Sequence, residues 1–209
     1  METPRLHHPH RPPTIADLDD LPEDVVGEII DGELIVHPRP DPPHARAAYR
    51  LGLTLGRSFE EGLGDPGGWI IIAEPRIRFD AQVLVPDLAG WRKERYEAPR
   101  KGPFQVPPDW ICEILSPSTG RDDRARKLPI YARSGVQHAW LLDPLQRSLE
   151  VFRRQDDVWL LLGVYGDEKV RAEPFEAVEI DLMQIWGEAT AAAEGEETAE
   201  IQCSSGDSQ

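Results

Sequence analysis

Two acidic residues sit inside strand patterns that otherwise read as interior: Glu113 in "DWICEIL" at 109–115 and Asp87 in "VPDLAG" at 85–90. An isolated ionised carboxylate is too costly to desolvate for a core strand to carry it alone. These acids therefore need a cation or several hydrogen-bond donors beside them. Pro86 suits an edge or bulged strand position, which places Asp87 where a regular ladder ends. Glu113 lies two residues before Leu115, on the same strand face and close to the end of its strand. If the two strands are neighbours, both carboxylates converge at one end of the sheet. Hard oxygen donors in that arrangement suit Mg²⁺, which takes one or two protein carboxylates, with room for a main-chain carbonyl, and keeps its remaining waters.

The rest of the pattern supplies such a sheet. "GEIIDGELIVHP" has apolar runs on both sides of Asp31-Gly32, the strongest short hairpin signal. In "HARAAYRLGLTLGRSFEEGLG", Ala48, Leu51, Leu55 and Phe59 recur at helical spacing, with Gly62 and Gly64 closing the segment. "WIIIAEPRIRFD" and "AQVLVPDLAGW" read as an antiparallel pair, and a Pro-rich basic connection leads from them to "DWICEIL". A helix follows over "RDDRARKLPIYAR" and closes at Gly135, with Ala125, Leu128 and Ala132 facing the core. Pro129 lies inside it and is expected to kink it. Three strands, "QHAWLLDP", "RSLEVFRRQ" and "VWLLLGVYG", and a final amphipathic "IDLMQIWGEA" complete the chain. The expectation is an α/β or α+β single domain over 14–188, with one mixed sheet flanked by helices. Residues 1–13, rich in Pro and His, are expected to be a disordered leader, and 189–209 a disordered acidic tail.

No apolar run approaches the roughly 20 residues a bilayer crossing needs, and the opening "METPRLHHPHRPP" lacks the apolar stretch of a secretory signal. Cys112 in a strand and Cys203 in a polar tail make a poor disulfide pair and give no metal-ligand spacing. A cytoplasmic location, with no membrane partner, is expected. The net charge of −15 argues against nucleic acid if taken as one number. The distribution reverses that reading: residues 14–33 hold eight acids and no base, whereas 92–133 hold ten Lys or Arg against six Asp or Glu.

Two further side chains belong with the carboxylates. Glu74 in "IIIAEPR" is another acid in an apolar run, followed by Pro75. Lys127, beside the apolar stripe of its helix, is placed to reach over the sheet end. Taken singly, Glu74 reads as a solvated strand residue and Lys127 as a snorkelling surface lysine. His44 and His138 read as a helix-start residue and a satisfied strand histidine. The combination carries the functional signal.

"PD" at 86–87, twenty-six residues before "EIL" at 113–115, resembles the PD-(D/E)XK restriction-endonuclease-like superfamily. "IIDGELIV", "VPDLAG" and the run from Glu113 to Pro144 are similar to the Uma-type endonuclease family, a bacterial branch of it, over roughly 24–155. The resemblance implies a mixed sheet flanked by helices, metal ligation by Asp87 and Glu113, and Glu74 as an extra ligand. The superfamily's usual lysine two positions after the acid is Leu115 here, and the family pattern implies that its role has moved to Lys127. A homodimer is likewise implied by resemblance alone. The expected activity is Mg²⁺- or Mn²⁺-dependent hydrolysis of phosphodiester bonds in DNA, with Asp87, Glu113 and Lys127 as the catalytic set. Arg92 to Lys101 and Arg121, Arg124 and Arg126 would contact backbone phosphates. A non-catalytic binding or regulatory module of the same fold is the rival reading. A carboxylate-pair acyl or glycosyl hydrolase ranks below both, because no Ser-His-Asp set or oxyanion loop accompanies the pair.

Overall fold

The computed structural model describes residues 5–6, 11–62 and 66–187. The acidic tail and Cys203 lie outside this range, as does most of the leader, of which Arg5–Leu6 forms a short strand, β1. Helix α1 (Ile15–Asp19) precedes the hairpin of β2 (Val25–Ile30) and β3 (Glu33–Pro38). Its turn is made by Asp31 and Gly32 at φ 52° and 78°. Those are the left-handed conformations a two-residue hairpin loop needs, which Asp and Gly adopt at little cost. β1 pairs with the outer side of β3.

Helix α2 (Pro42–Leu55) begins at Asp41, whose side chain accepts the backbone N–H of His44 at 3.1 Å. It buries Ala47, Leu51 and Leu55, continuing to Phe59 in a following π-helical turn. The segment 69–92, read from sequence as one antiparallel pair, is divided between two sheets. β4 (Trp69–Ala73) pairs with β7 (Leu88–Arg92), whereas β5 (Ile77–Phe79) pairs with β6 (Gln82–Leu84) and joins the β2–β3 hairpin. The division has a local cause. Glu74 takes a left-handed φ of 47° immediately before Pro75, and Pro86 interrupts the return strand. The Glu74 N–H still donates to the Asp87 carbonyl at 3.0 Å, the last bond before the strands part. Asp87 therefore stands where one sheet ends and the other begins. The single mixed sheet expected from sequence is thus divided into a mixed sheet of six strands and an antiparallel one of five, beside a separate two-stranded sheet later in the chain.

β8 (Trp110–Ile114) leads into helices α3 (Gly120–Asp122) and α4 (Leu128–Arg133), then β9 (His138–Asp143), β10 (Ser148–Gln155) and β11 (Val158–Tyr165). Across the large sheet the order is β11-β10-β9-β8-β7-β4, and β8 with β9 is its parallel pair, spanned by the helical crossover. Short strands β12 (Lys169–Val170) and β13 (Ile180–Asp181) and helix α5 (Leu182–Trp186) follow. One face of the large sheet packs α2, α5 and Phe175 around Trp69, Trp110 and Trp140. The opposite face packs α4 and the smaller sheet around Ile111, Leu115, Tyr131 and Leu141.

The kink expected at Pro129 takes the form of a π-helical turn over Asp123–Lys127, in which the Leu128 N–H reaches back to the Asp123 carbonyl. Widening the helix here accommodates a ring that cannot donate a hydrogen bond and crowds the preceding turn. It also changes which side chains face inward. Ala125, expected in the core stripe, is exposed, while Asp123 and Lys127 are buried.

Candidate active site

The two sheets and α2 enclose a cleft of about 210 Å³. Its walls include Asp87, Glu113 and Lys127, so the three side chains brought forward by sequence share one site. Asp87, 16% exposed, has both oxygens occupied: one accepts the backbone N–H of Ile114 at 2.7 Å, the other lies 2.7 Å from His44 Nε2. The first bond ties β7's end to β8, and the second ties it to α2. Glu113 is 2% exposed, and its Oε1 accepts from the Tyr131 hydroxyl at 2.6 Å.

Lys127 is 4% exposed, and its ammonium lies among three acids, Glu28 at 3.0 Å, Asp123 at 3.1 Å and Glu113 at 3.6 Å. Burial by itself would lower its pKa, but the three carboxylates raise it well above the ordinary lysine value, so it remains an ammonium. Burial likewise pushes Glu28 up, yet Lys127, the nearby His37 ring and the hydrogen bond from the Val85 N–H hold it below the usual range. Glu113 goes the other way. Burial, then Asp123, Asp87 and Glu28, drive it well above the ordinary carboxylate value despite Lys127. Glu28 is thus the ionised partner of Lys127, and Glu113 is the member left short of positive charge.

That shortage tests whether the site suits a divalent cation. Glu28, Asp87, Glu113 and Asp123 face one lysine, and the carboxylate least compensated, Glu113, is one of the two ligands read from sequence. Among the described residues no group of three or more His, Cys, Asp or Glu side chains converges as a complete metal site. A pair of carboxylates is nevertheless the protein share that Mg²⁺ ordinarily takes. The donor chemistry fits such an ion, held by two ligands. Glu74, expected as an extra ligand, stands at the rim: it is exposed and bound to Arg39 at 2.7 Å.

Several site residues escaped the sequence reading. Glu28 carries the same signal as Glu113, an acid within the apolar run "VVGEII", and that criterion would have found it. Asp123 and Tyr131 had no such signal, since the π-helical turn decides which side chains point inward. His44 looked like a helix-start residue, and its contact with Asp87 spans 43 positions. The basic side chains expected on phosphates are largely held by the chain itself. Arg126 binds Glu33 and the Ile30 carbonyl, Arg124 pairs with Glu150, Arg95 with Asp109, and Arg92 lies over the Trp69 ring. Arg100, Lys101 and Arg121 remain exposed. Among the described residues no helix is long and apolar enough to cross a membrane.

Residues 15–183 match the Uma2 family, described as "Putative restriction endonuclease". Among solved structures the chain is similar to "a putative nuclease belonging to DUF820 from Anabaena variabilis ATCC 29413", with a TM-score of 0.67 and 23% identity, over 84% of this chain and 98% of that one. No curated protein matches. At that identity the structural likeness establishes the fold alone, a core of mixed α+β type with sheets flanked by helices. The family match covers the domain from α1 to α5, including every residue of the carboxylate–lysine cluster, and on that basis the chain belongs to the Uma2 family.

Proposed function

We propose that the chain is a metal-dependent endonuclease that hydrolyses phosphodiester bonds, with DNA as the substrate. The observation that carries this reading is the convergence of Asp87, Glu113 and Lys127 on one cleft. A Mg²⁺ or Mn²⁺ ion held by Asp87 and Glu113 would lower the pKa of a bound water and offset charge building on the phosphate. The chain's own groups prepare that chemistry. His44 and the Ile114 N–H fix the Asp87 carboxylate, and Tyr131 fixes Glu113, so neither has to reorganise during reaction. Glu28 and Asp123 anchor the Lys127 ammonium, and its longest contact, 3.6 Å to Glu113, is the one that a water or a phosphate oxygen would replace. In that position the ammonium orients the attacking water and stabilises the phosphate's added charge. Glu74 stays outside this set.

Exposed Arg100, Lys101 and Arg121 would add sequence-independent backbone contacts, so binding should be weak and steeply salt-dependent. A homodimer would present two such clefts to two strands, and light scattering on the full chain decides that point. The net charge of −15 and the arginines occupied in internal pairs favour the second reading, a nucleic-acid-binding module without cleavage. Plasmid nicking in Mg²⁺ or Mn²⁺, beside calorimetric Mn²⁺ binding, separates the two. Wild type should nick and bind Mn²⁺, and Asp87→Asn should lose both together. A wild type that binds no divalent ion and cuts neither DNA nor RNA would end the nuclease reading.

A further inference from the structure

A second histidine lies in the cleft with no settled partner. His37, on β3, is 7% exposed, and its register opposite Val26 places it diagonally across from Glu28. Neither ring nitrogen makes a protein hydrogen bond. The nearest acceptor, Glu28 Oε2, is 3.5 Å from Nε2, beyond a normal bond, and that oxygen already lies 3.0 Å from Lys127 Nζ. A buried polar group without a partner is costly to maintain. A ring kept this way on the wall of a charged cleft points to a ligand that it meets there.

We propose that His37 is a substrate-binding residue that donates a hydrogen bond to a non-bridging oxygen of the phosphodiester in the cleft, a role that rests on the nuclease reading. The alternative ligand is a metal ion, and the charges argue against it. The Glu28 oxygen that His37 approaches is already taken by the Lys127 ammonium, so no free carboxylate oxygen accompanies the ring to share a dication. The same ammonium attracts an oxyanion, so His37 and Lys127 form two donors aimed at one anion. Glu28 anchors the lysine, and Nδ1, the ring nitrogen that does not face Glu28, is the one left to donate.

The test compares wild type with His37→Phe, which keeps a ring of similar size but no nitrogen, and His37→Gln, which restores a donor. Affinity for a fluorescent single-stranded DNA oligonucleotide is measured at low salt without divalent ions, with thermal midpoints alongside. His37→Phe should bind roughly tenfold more weakly, the scale of one hydrogen bond to a charged group. Its midpoint should stay unchanged or rise, because an unpaired buried group has gone. His37→Gln should recover part of the affinity. A residue with a merely structural role would give the reverse, a lower midpoint with unchanged affinity, and that result overturns the proposal. So does loss of calorimetric Mn²⁺ binding in His37→Phe in the absence of oligonucleotide, which would make it a metal ligand. A wild type that binds and cuts DNA while His37→Phe matches it refutes the His37 role alone. A wild type that neither binds nor cuts refutes the nuclease reading and this one with it.

Discussion

The two faces of β8 have opposite compositions within five residues. Trp110, Cys112 and Ile114 point into an aromatic core in which the Trp110 ring meets Trp140 and Phe175 edge-on at 5.3 and 5.0 Å. Ile111 and Glu113 point the other way, and there Glu113 joins Tyr131 and Lys127. Both faces are buried, yet only one is apolar. The apolar face gains from removing area from water, a non-directional gain that tolerates some repacking. The polar face gains little net energy from its ion pairs, because desolvating charges offsets most of their attraction. Its placement is therefore maintained by the packing on the other side of the same strand. A buried carboxylate can be held in a costly position when the strand that carries it is fixed by something else.

If this division holds, substitutions on the two faces should fail differently. The largest effect is expected from Glu113→Gln, which keeps the shape and the Tyr131 contact but removes a charge. Nicking should fall by about 10²–10³-fold or more, the scale of losing one preorganised electrostatic group. The thermal midpoint should hold or rise, since like-charged neighbours lose a repelling partner. A fall in midpoint matching the loss of activity would erase the contrast.

Next is Trp110→Ala on the apolar face. Removing a fully buried indole should cost about 3–5 kcal/mol in denaturant unfolding. Activity per folded molecule should stay within a few-fold at low temperature. A smaller probe of that face is Gly90→Ala on β7. A methyl there would come within 3.2 Å of both the Trp110 and Trp69 rings. Overpacking should cost about 1–3 kcal/mol, again without touching the chemistry. A stabilised Gly90→Ala would mean that the aromatic layer is looser than its contacts indicate.

The smallest effect concerns His138, on β9, which lies 3.3 Å from Glu173. Burial lowers its pKa below the ordinary 6.5, and the attraction of Glu173 does not restore it. The unfolded chain therefore takes up this proton first on acidification. The contribution is present above pH 6.5 and is lost as pH falls from there through the folded value. His138→Gln should flatten the dependence of stability on pH in that window by about 1 kcal/mol or less. Unchanged slopes in the two proteins would assign the dependence to other groups.

Asp87 and Glu113 were legible because each broke a local rule, an acid in an apolar strand run, whereas Lys127 was singled out by their company and by the family pattern. The hairpin was legible from Asp31-Gly32 for the same local reason, since backbone conformation at a two-residue turn is decided by the residues in it. The division of 69–92 between two sheets was written in Pro75 and Pro86, but those prolines say only that a ladder stops. Which strand β5 and β6 would join next depends on the apolar surface offered by β2.

The sequence by itself therefore determined the main elements, many interior positions and the presence of costly buried acids, because desolvation, turn chemistry and side-chain periodicity act over a few neighbouring residues. Only the tertiary structure decided that His44 meets Asp87, that Glu28 and Asp123 surround Lys127, and that His37 lies in the same cleft with both nitrogens unpaired. Those contacts join a hairpin, two helices and two strands far apart in the chain. Their geometry follows from how the sheets separate at Asp87 and how the π-helical turn rotates its side chains; nearby prolines interrupt the ladder and widen the helix, but which groups then meet is decided by elements far apart in the chain.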